Sequence, residues 1–312
     1  MKTIKIDFLD FWPDFKKEDN FFINILRQHY NVVISDRPDY IIYSVYSRNH
    51  LHFDGVKIFY TGESYKPDYK FCDFSLSFEY EENERNLRLP LYVLYGDMNW
   101  LIAPKPPIEE TLKQKTGFCN MVVSNASATK RIEFFEKLSK YKKVDSGGRH
   151  LNNIGGPVPN KKEFIKNYKF TLAFENTIYP GYTTEKLVEP MFMHSMPIYW
   201  GNPHVNRDFN TKSFLYWDDF GSDEALIERI IELDKDDDKY AEVYNEPYLH
   251  NNELNKWMYP DRVLRFFMNI FENPFTRRKY YYSRTMYNKM IQLRIKGGAI
   301  KRDLQSFLRL NR

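Results

Sequence analysis

Cysteine is nearly absent. Of 312 residues only Cys72 and Cys119 carry a thiol. One pair cannot build the framework of a small disulfide scaffold, and neither thiol stands at metal-ligand spacing from a histidine. Both therefore read as buried free thiols in a reducing compartment. Long apolar runs are missing as well: no stretch approaches the ~18 residues of a membrane-spanning helix. The opening MKTIKIDFLDFW mixes charges into its apolar residues and has no small-residue cleavage site. It reads as a first strand rather than a leader, and a cytoplasmic location is expected. There is no internal repeat and no low-complexity segment. The seven histidines are scattered, and His194, beside Met193 in a helical pattern, reads as packed. Acidic clusters at Asp218–Asp219 and Asp236–Asp238 read as solvated charge, so no metal and no cofactor is expected.

The chain is otherwise rich in what makes a globular core. Hydrophobic residues make up 42% and charged residues 28%, a balance that excludes disorder. Aromatics reach 17%, with 24 Tyr and 25 Phe. Such rings pack cores, and they also stack on the C–H face of a sugar. The net charge of +4 is uneven: residues 276–312 hold eleven Lys and Arg against one Asp, which leaves the body at −6. Met286, Met290 and Leu293 recur at helical spacing in this basic tail. The spacing fits an interfacial helix pair drawn to an anionic membrane surface, with a helix packed back on the body as the alternative. No nucleic-acid-binding motif accompanies the charge.

Along the chain, strand and helix patterns alternate twice. Thr3–Phe8 reads as a strand and Phe21–Tyr30 as a helix. β-rich runs follow at Val32–Ile34, Tyr40–Val45, Val56–Tyr60 and Phe74–Phe78, and the half closes with LRLPLYVLY at Leu87–Tyr95. Ala103–Pro107 holds three prolines and reads as a linker. The pattern then restarts: a strand at Cys119–Ser124, a helix at Ala128–Tyr141, a Gly-rich loop at Val144–Pro159 and a short helix at Phe164–Tyr168. A strand at Phe170–Phe174, a helix at Thr184–Met193 and a strand at Pro197–Trp200 come next. Glu224–Leu233 and Tyr248–Glu272 read as further helices, with Pro260 limiting or splitting the second. The fold class is α/β. The division expected is 1–115 and 116–275, two Rossmann-like domains enclosing a cleft, followed by the tail at 276–312.

Chemistry concentrates in Phe170–Gly201, FTLAFENTIYPGYTTEKLVEPMFMHSMPIYWG. Pro180 and Gly181 permit a tight turn, and Thr183 or Thr184 can cap the helix that follows. The free N–H groups and partial positive charge of that helix end suit a diphosphate. Lys186 adds a full charge, and Glu185 can accept hydrogen bonds from ribose hydroxyls. An ordinary surface helix would begin the same way.

The order FEN, GY, TEK, PIYWG resembles the signature of the α1,3/α1,4-fucosyltransferases, glycosyltransferase family 10. YTGESYKPDYKFCDFSLSF (Tyr60–Phe78), LRLPLYVLY and VVSNASATKRIEFF (Val122–Phe135) extend the likeness from about Ile58 to Glu272. The resemblance implies a GT-B fold, two facing Rossmann-like domains with GDP-fucose held mainly by the second. It implies diphosphate contacts from Arg131 and Lys186, and donor contacts from Asn176, Tyr182, Glu185 and Ser124. Because the spacing between Ser124 and Arg131 varies among such sequences, Lys130 stays open in place of Arg131. Glu63, in TGE, matches the general base of an inverting, metal-independent transfer. The implied acceptor is an N-acetyllactosamine-type oligosaccharide of a surface polysaccharide or lipopolysaccharide, fucosylated in α1,3 or α1,4 linkage to a Lewis-type product. Use of another nucleotide sugar, or a non-catalytic carbohydrate-binding role, is the rival.

Overall fold

The computed structural model describes residues 1–273. The tail at 276–312, with its membrane reading, lies outside the described residues. Among them no helix is long and apolar enough to cross a membrane.

The first half is a six-stranded, all-parallel sheet built from β1 (Thr3–Leu9), β2 (Asn31–Ile34), β3 (Tyr40–Tyr43), β4 (Val56–Tyr60), β5 (Phe74–Ser77) and β6 (Asn86–Arg88), in the order β2-β1-β3-β4-β5-β6. Ile4, Ile6 and Phe8 of β1 are almost fully buried. Helix α1 (Phe21–Leu26) is capped by Asn20, whose side chain accepts from the Ile23 amide, and it buries Phe22, Ile23, Ile25 and Leu26. It ends four residues earlier than the sequence pattern indicates.

After helix α2 (Ile108–Gln114) a second parallel sheet forms from β7 (Gly117–Met121), β8 (Val144–Ser146), β9 (Tyr168–Phe174), β10 (Met196–Trp200) and β11 (Leu215–Tyr216), in the order β11-β10-β9-β7-β8. All seven residues of central β9 are buried, as a strand covered on both faces requires. Helices α3 (Thr129–Ser139), α4 (Lys161–Ile165), α5 (Glu185–Phe192), α6 (Asp223–Lys235) and α7 (Asp237–Asn245) accompany it. Phe134, Leu138, Phe170, Ile198, Leu226 and Ile230 form the centre of its core. In each sheet the second strand lies on one side of the first and all later strands lie on the other. This leaves a crevice at the carboxyl ends of β1 and β3, and another at those of β7 and β9, where ligands of open α/β sheets bind.

Several local expectations shift. The glycine-rich loop begins with β8, whose Val144 pairs with Cys119; three residues are too few to show a period. The short helix lies at Lys161–Ile165, capped by Asn160, and Tyr168 opens β9 rather than ending a helix. Helix α2 starts directly behind Pro107, where the prolines suggested only a linker. The acidic run caps α7: the Asp236 side chain accepts from the Lys239 amide. His194 follows α5 at a positive φ of 51° instead of lying on it. Pro260 splits the last pattern, and only α8 (Asp261–Glu272) is α-helical. That helix returns to the first sheet. Phe267 meets Phe22, Phe271 meets Tyr30 and Tyr40, and the Tyr30 hydroxyl donates to Glu272 at 2.9 Å.

The halves are joined by one buried cation. Arg88, at the end of β6, is fully buried and donates to Asp208 Oδ2 at 2.6 Å. It also reaches the Phe78 carbonyl and the Gly181 carbonyl, each at 3.3 Å. Its guanidinium lies over the Tyr80 ring at 4.1 Å and the Trp257 ring at 4.3 Å. A second buried anchor holds the rim of the first sheet. The Asp10 carboxylate accepts from the Asn49 amide (2.8 Å), the His50 amide (3.0 Å), His50 Nδ1 (2.5 Å) and the Ser47 hydroxyl. Burial alone would raise its pKa, but these donors outweigh it and hold the pKa at about 2.

Two stability predictions follow from these anchors. Arg88→Met leaves Asp208 buried without its partner and should cost about 3–5 kcal/mol in urea unfolding, most of it regained in Arg88→Met/Asp208→Leu. A loss under about 1 kcal/mol in the single variant would contradict the ion pair's role. Asp10 has a depressed folded pKa, so its stabilisation is present above its ordinary pKa and disappears as pH falls through the folded one. The wild-type advantage over Asp10→Asn in urea midpoint should therefore shrink between about pH 4 and pH 2.

Candidate active site

The carboxyl ends of the two sheets meet around the segment from Glu175 to Lys186. Phe174 ends β9, and the Glu175 amide still pairs with the Trp200 carbonyl of β10 at 2.8 Å. The chain then turns through Gly181 at φ +83°, where a Cβ would stand 2.1 Å from the Phe78 carbonyl oxygen of the opposite half. Only glycine fits both the conformation and the approach. Asn202 fixes the same turn, its Oδ1 accepting from the Gly181 amide at 2.8 Å and its Nδ2 donating to the Thr183 hydroxyl at 3.0 Å. Thr184 is the cap of α5, its hydroxyl accepting from the Lys186 amide.

Beneath the turn lies Glu175, with no solvent exposure. Its carboxylate accepts from the Thr184 amide (2.7 Å) and the Thr184 hydroxyl (2.9 Å), and it pairs with Lys186 Nζ at 3.2 Å. Burial raises the Glu175 pKa against the opposing pull of Lys186. Burial works against the Lys186 ammonium too, but Glu175 and then Glu185 outweigh it and raise its pKa above the ordinary lysine value. The Glu185 carboxyl is pushed up by burial and brought down further by Lys186 and Lys161, for a net depression. Lys161 stands 4.0 Å from Glu185 and 2.5 Å from Glu189.

Arg131, on α3, is 1% exposed. Its Nε donates to the Phe174 carbonyl at 3.0 Å and its Nη2 to Asn176 Oδ1 at 2.7 Å. Burial lowers its pKa, partly offset by Glu175, Tyr182 and Glu185. The neighbouring Lys130 turns away: it pairs with Asp223 at 2.5 Å and lies over the Trp217 ring. Arg131, not Lys130, is the cation at the β7–β9 crevice. Ser124 is exposed just beyond the end of β7.

From the other half comes Glu63, three residues past the end of β4. Its backbone is folded into a turn by Thr61, whose hydroxyl donates to the Glu63 carbonyl (2.8 Å) and accepts from the Glu63 amide (2.9 Å). Its Oε2 accepts from the Tyr182 hydroxyl at 3.4 Å. Tyr182 is 2% exposed, and burial, then Glu175, Glu63 and Glu185, drive its pKa far above the ordinary phenol value. Phe78 packs edge-on to it at 4.9 Å. The hydrogen bond between Tyr179 and Glu79 closes another contact across the cleft.

Of the residues the sequence singled out, Arg131, Asn176, Tyr182, Glu185, Lys186 and Glu63 converge on one cleft, while Ser124 stands at its exposed edge. Glu175 and Asn202 were missed, although they sit inside FEN and directly after PIYWG. Among the described residues no group of three or more His, Cys, Asp and Glu is arranged to hold a metal. The arrangement offers two cations and a helix amino end to an anionic group, with a carboxylate opposite.

Comparison with known proteins gives the same grouping. Residues 6–95 match the model for the Alpha-(1,3)-fucosyltransferase FucT N-terminal domain, and residues 112–258 match that for Glycosyltransferase family 10 (fucosyltransferase) C-term. The chain is 32% identical over 320 residues to Alpha-(1,3)-fucosyltransferase FucT of Helicobacter pylori, a match covering 86% of this chain and 66% of that protein. It spans less than half the length of several other curated relatives. A crystal structure of an α1,3-fucosyltransferase superposes with a TM-score of 0.75 at 28% identity, covering 91% of this chain and 93% of that one. The crystal structure of α1,3-fucosyltransferase with GDP-fucose gives 0.72 at 28% identity, covering 88% and 92%. The two facing parallel sheets are thus the GT-B architecture, and the chain belongs to glycosyltransferase family 10, the fucosyltransferases.

Proposed function

We propose that this chain transfers L-fucose from GDP-fucose, with inversion, to an N-acetyllactosamine-type glycan in α1,3 or α1,4 linkage, without a metal ion. One observation carries the reading. Glu63 of the first half and Tyr182 of the second share a hydrogen bond across the cleft, beside the turn that also presents Lys186 and the amino end of α5.

In the proposed reaction the acceptor oxygen attacks C1 of fucose while the C1–O bond to the diphosphate breaks. The hydroxyl proton passes to Glu63. The electron pair of the broken bond stays on GDP. There Lys186, Arg131 and the α5 amino end meet the developing charge, held in place before the reaction begins. Both cations are mostly buried, so little water screens them. With a nucleotide bound, their partners Glu175 and Asn176 would share them with phosphate oxygens. Asn176 and Ser124 line the crevice where the nucleotide would lie. Tyr182 and Glu185 would flank the fucose ring, a phenol and a carboxylate against an oxocarbenium-like centre.

Incubation with GDP-fucose and N-acetyllactosamine in EDTA, followed by mass and linkage determination, tests the reading. A fucosylated product is expected; activity only with UDP- or ADP-sugars, or none with any donor, would overturn it. Glu63→Ala should lower kcat by about 10²–10⁴-fold while calorimetric GDP affinity stays near wild type. Lys186→Ala should weaken GDP binding by about 10–100-fold, and unchanged affinity would remove Lys186 from the phosphate site.

A further inference from the structure

Two exposed rings stand where the first sheet's crevice opens. Trp12 follows β1 and is 41% exposed; Tyr46 follows β3 and is 52% exposed. Their rings meet edge to face, with centroids 6.1 Å apart. Exposed rings that touch one another form contiguous apolar surface, the kind that marks a binding site, unlike a single exposed ring.

Their support is rigid. Phe11 and Phe15 stack at 4.0 Å, and Trp12 packs edge-on against Phe11 (5.5 Å) and Phe15 (5.1 Å). Phe11 in turn stacks on Tyr60, the last residue of β4 and three residues before Glu63. The Asp10 anchor fixes the other ring: its carbonyl accepts from the Tyr46 amide at 3.0 Å, and its carboxylate gathers residues 47–50. The Tyr46 phenol is raised above its ordinary value by burial, then by the charge of Glu63 and a hydrogen bond to it. Through Phe11 and Tyr60 the platform packs against the strand end that leads into Glu63.

We propose that Trp12 and Tyr46 form a stacking platform for the acceptor glycan, holding the pyranose next to the one that reacts; this rests on the fucosyl-transfer reading above. The occupant follows from the chemistry of the surface. The exposed Trp12 indole can receive the axial C–H groups of a pyranose, with Tyr46 standing against it edge to face and flanking the sugar. Trp12, Tyr46 and Glu63 follow β1, β3 and β4, so a ring seated there lies at the same carboxyl edge of the sheet as the proposed base. The platform acts on binding of a disaccharide or longer acceptor, not on the nucleotide. A monosaccharide acceptor, which lacks the second ring, does not use it.

The test compares N-acetyllactosamine with N-acetylglucosamine as acceptors for wild type, Trp12→Ala and Trp12→Phe. Trp12→Ala should raise KM for the disaccharide about tenfold or more, leave KM for the monosaccharide and calorimetric GDP affinity within about twofold, and lose the preference between them. Trp12→Phe, which keeps a ring, should recover most of the disaccharide KM. An unchanged disaccharide KM in Trp12→Ala overturns the platform while wild-type transfer upholds the function. Should Trp12→Ala not fold, the tryptophan fluorescence of wild type minus that of Trp12→Phe is titrated with N-acetyllactosamine and GDP. A saturating change expected for wild type supports the platform, and none overturns it. Because it reads binding, this titration decides the platform even if wild type transfers no fucose, an outcome that would sink the function alone.

Discussion

A single buried carboxylate organises the cleft. Glu175 has no exposed surface, yet it holds the amide and hydroxyl of Thr184 and the ammonium of Lys186. An ionised group at that depth is costly unless every oxygen finds a donor, and the helix amino end supplies them. The arrangement joins β9 to α5 through the side chain of one residue. It fixes the direction of Lys186 and, through the turn above, that of Tyr182. Arg131 completes it by tying α3 to the end of β9 through Phe174 and Asn176. Remove that carboxylate and the cap, the lysine and the turn lose their common reference.

The second constraint is between halves. A cleft works only if its walls keep their spacing, and here the spacing is carried by Arg88, whose donors reach Phe78 of the first half and Gly181 and Asp208 of the second. Gly181 permits the approach that brings Tyr182 to Glu63. Helix α8 adds an apolar tie, because its phenylalanines return to the first sheet after the second is complete. Glu63, Arg131 and Lys186, the proposed proton acceptor and phosphate-binding groups, are thus held by packing and hydrogen bonds before any ligand arrives, which is what electrostatic preorganisation requires.

Much of this was legible in the sequence because it rests on local signals. The restart of the α/β pattern after the prolines marked two sheets. The run FEN–GY–TEK–PIYWG marked the turn and the capped helix. What escaped was set by partners far along the chain. Glu175 reads as one acidic residue among many until Thr184 and Lys186 fold over it. Arg88 shows its role only against Asp208, 120 positions away. The strand at Val144–Ser146 is too short for periodicity, and Trp12 and Tyr46 are brought together only by Asp10's long-range hold on the loop after β3. Lys130 and Arg131 are adjacent in sequence, and only the direction of α3 decides which of them faces the crevice.

The central claim is a single displacement, with one carboxylate on the acceptor side and fixed cations on the departing nucleotide. Its most direct measurement is the anomeric configuration of the first-formed product, followed by NMR from a β-linked GDP-fucose donor. A single displacement yields the α-fucoside alone, formed without a lag. A β-fucoside, or a trapped fucosyl-enzyme adduct, would contradict it.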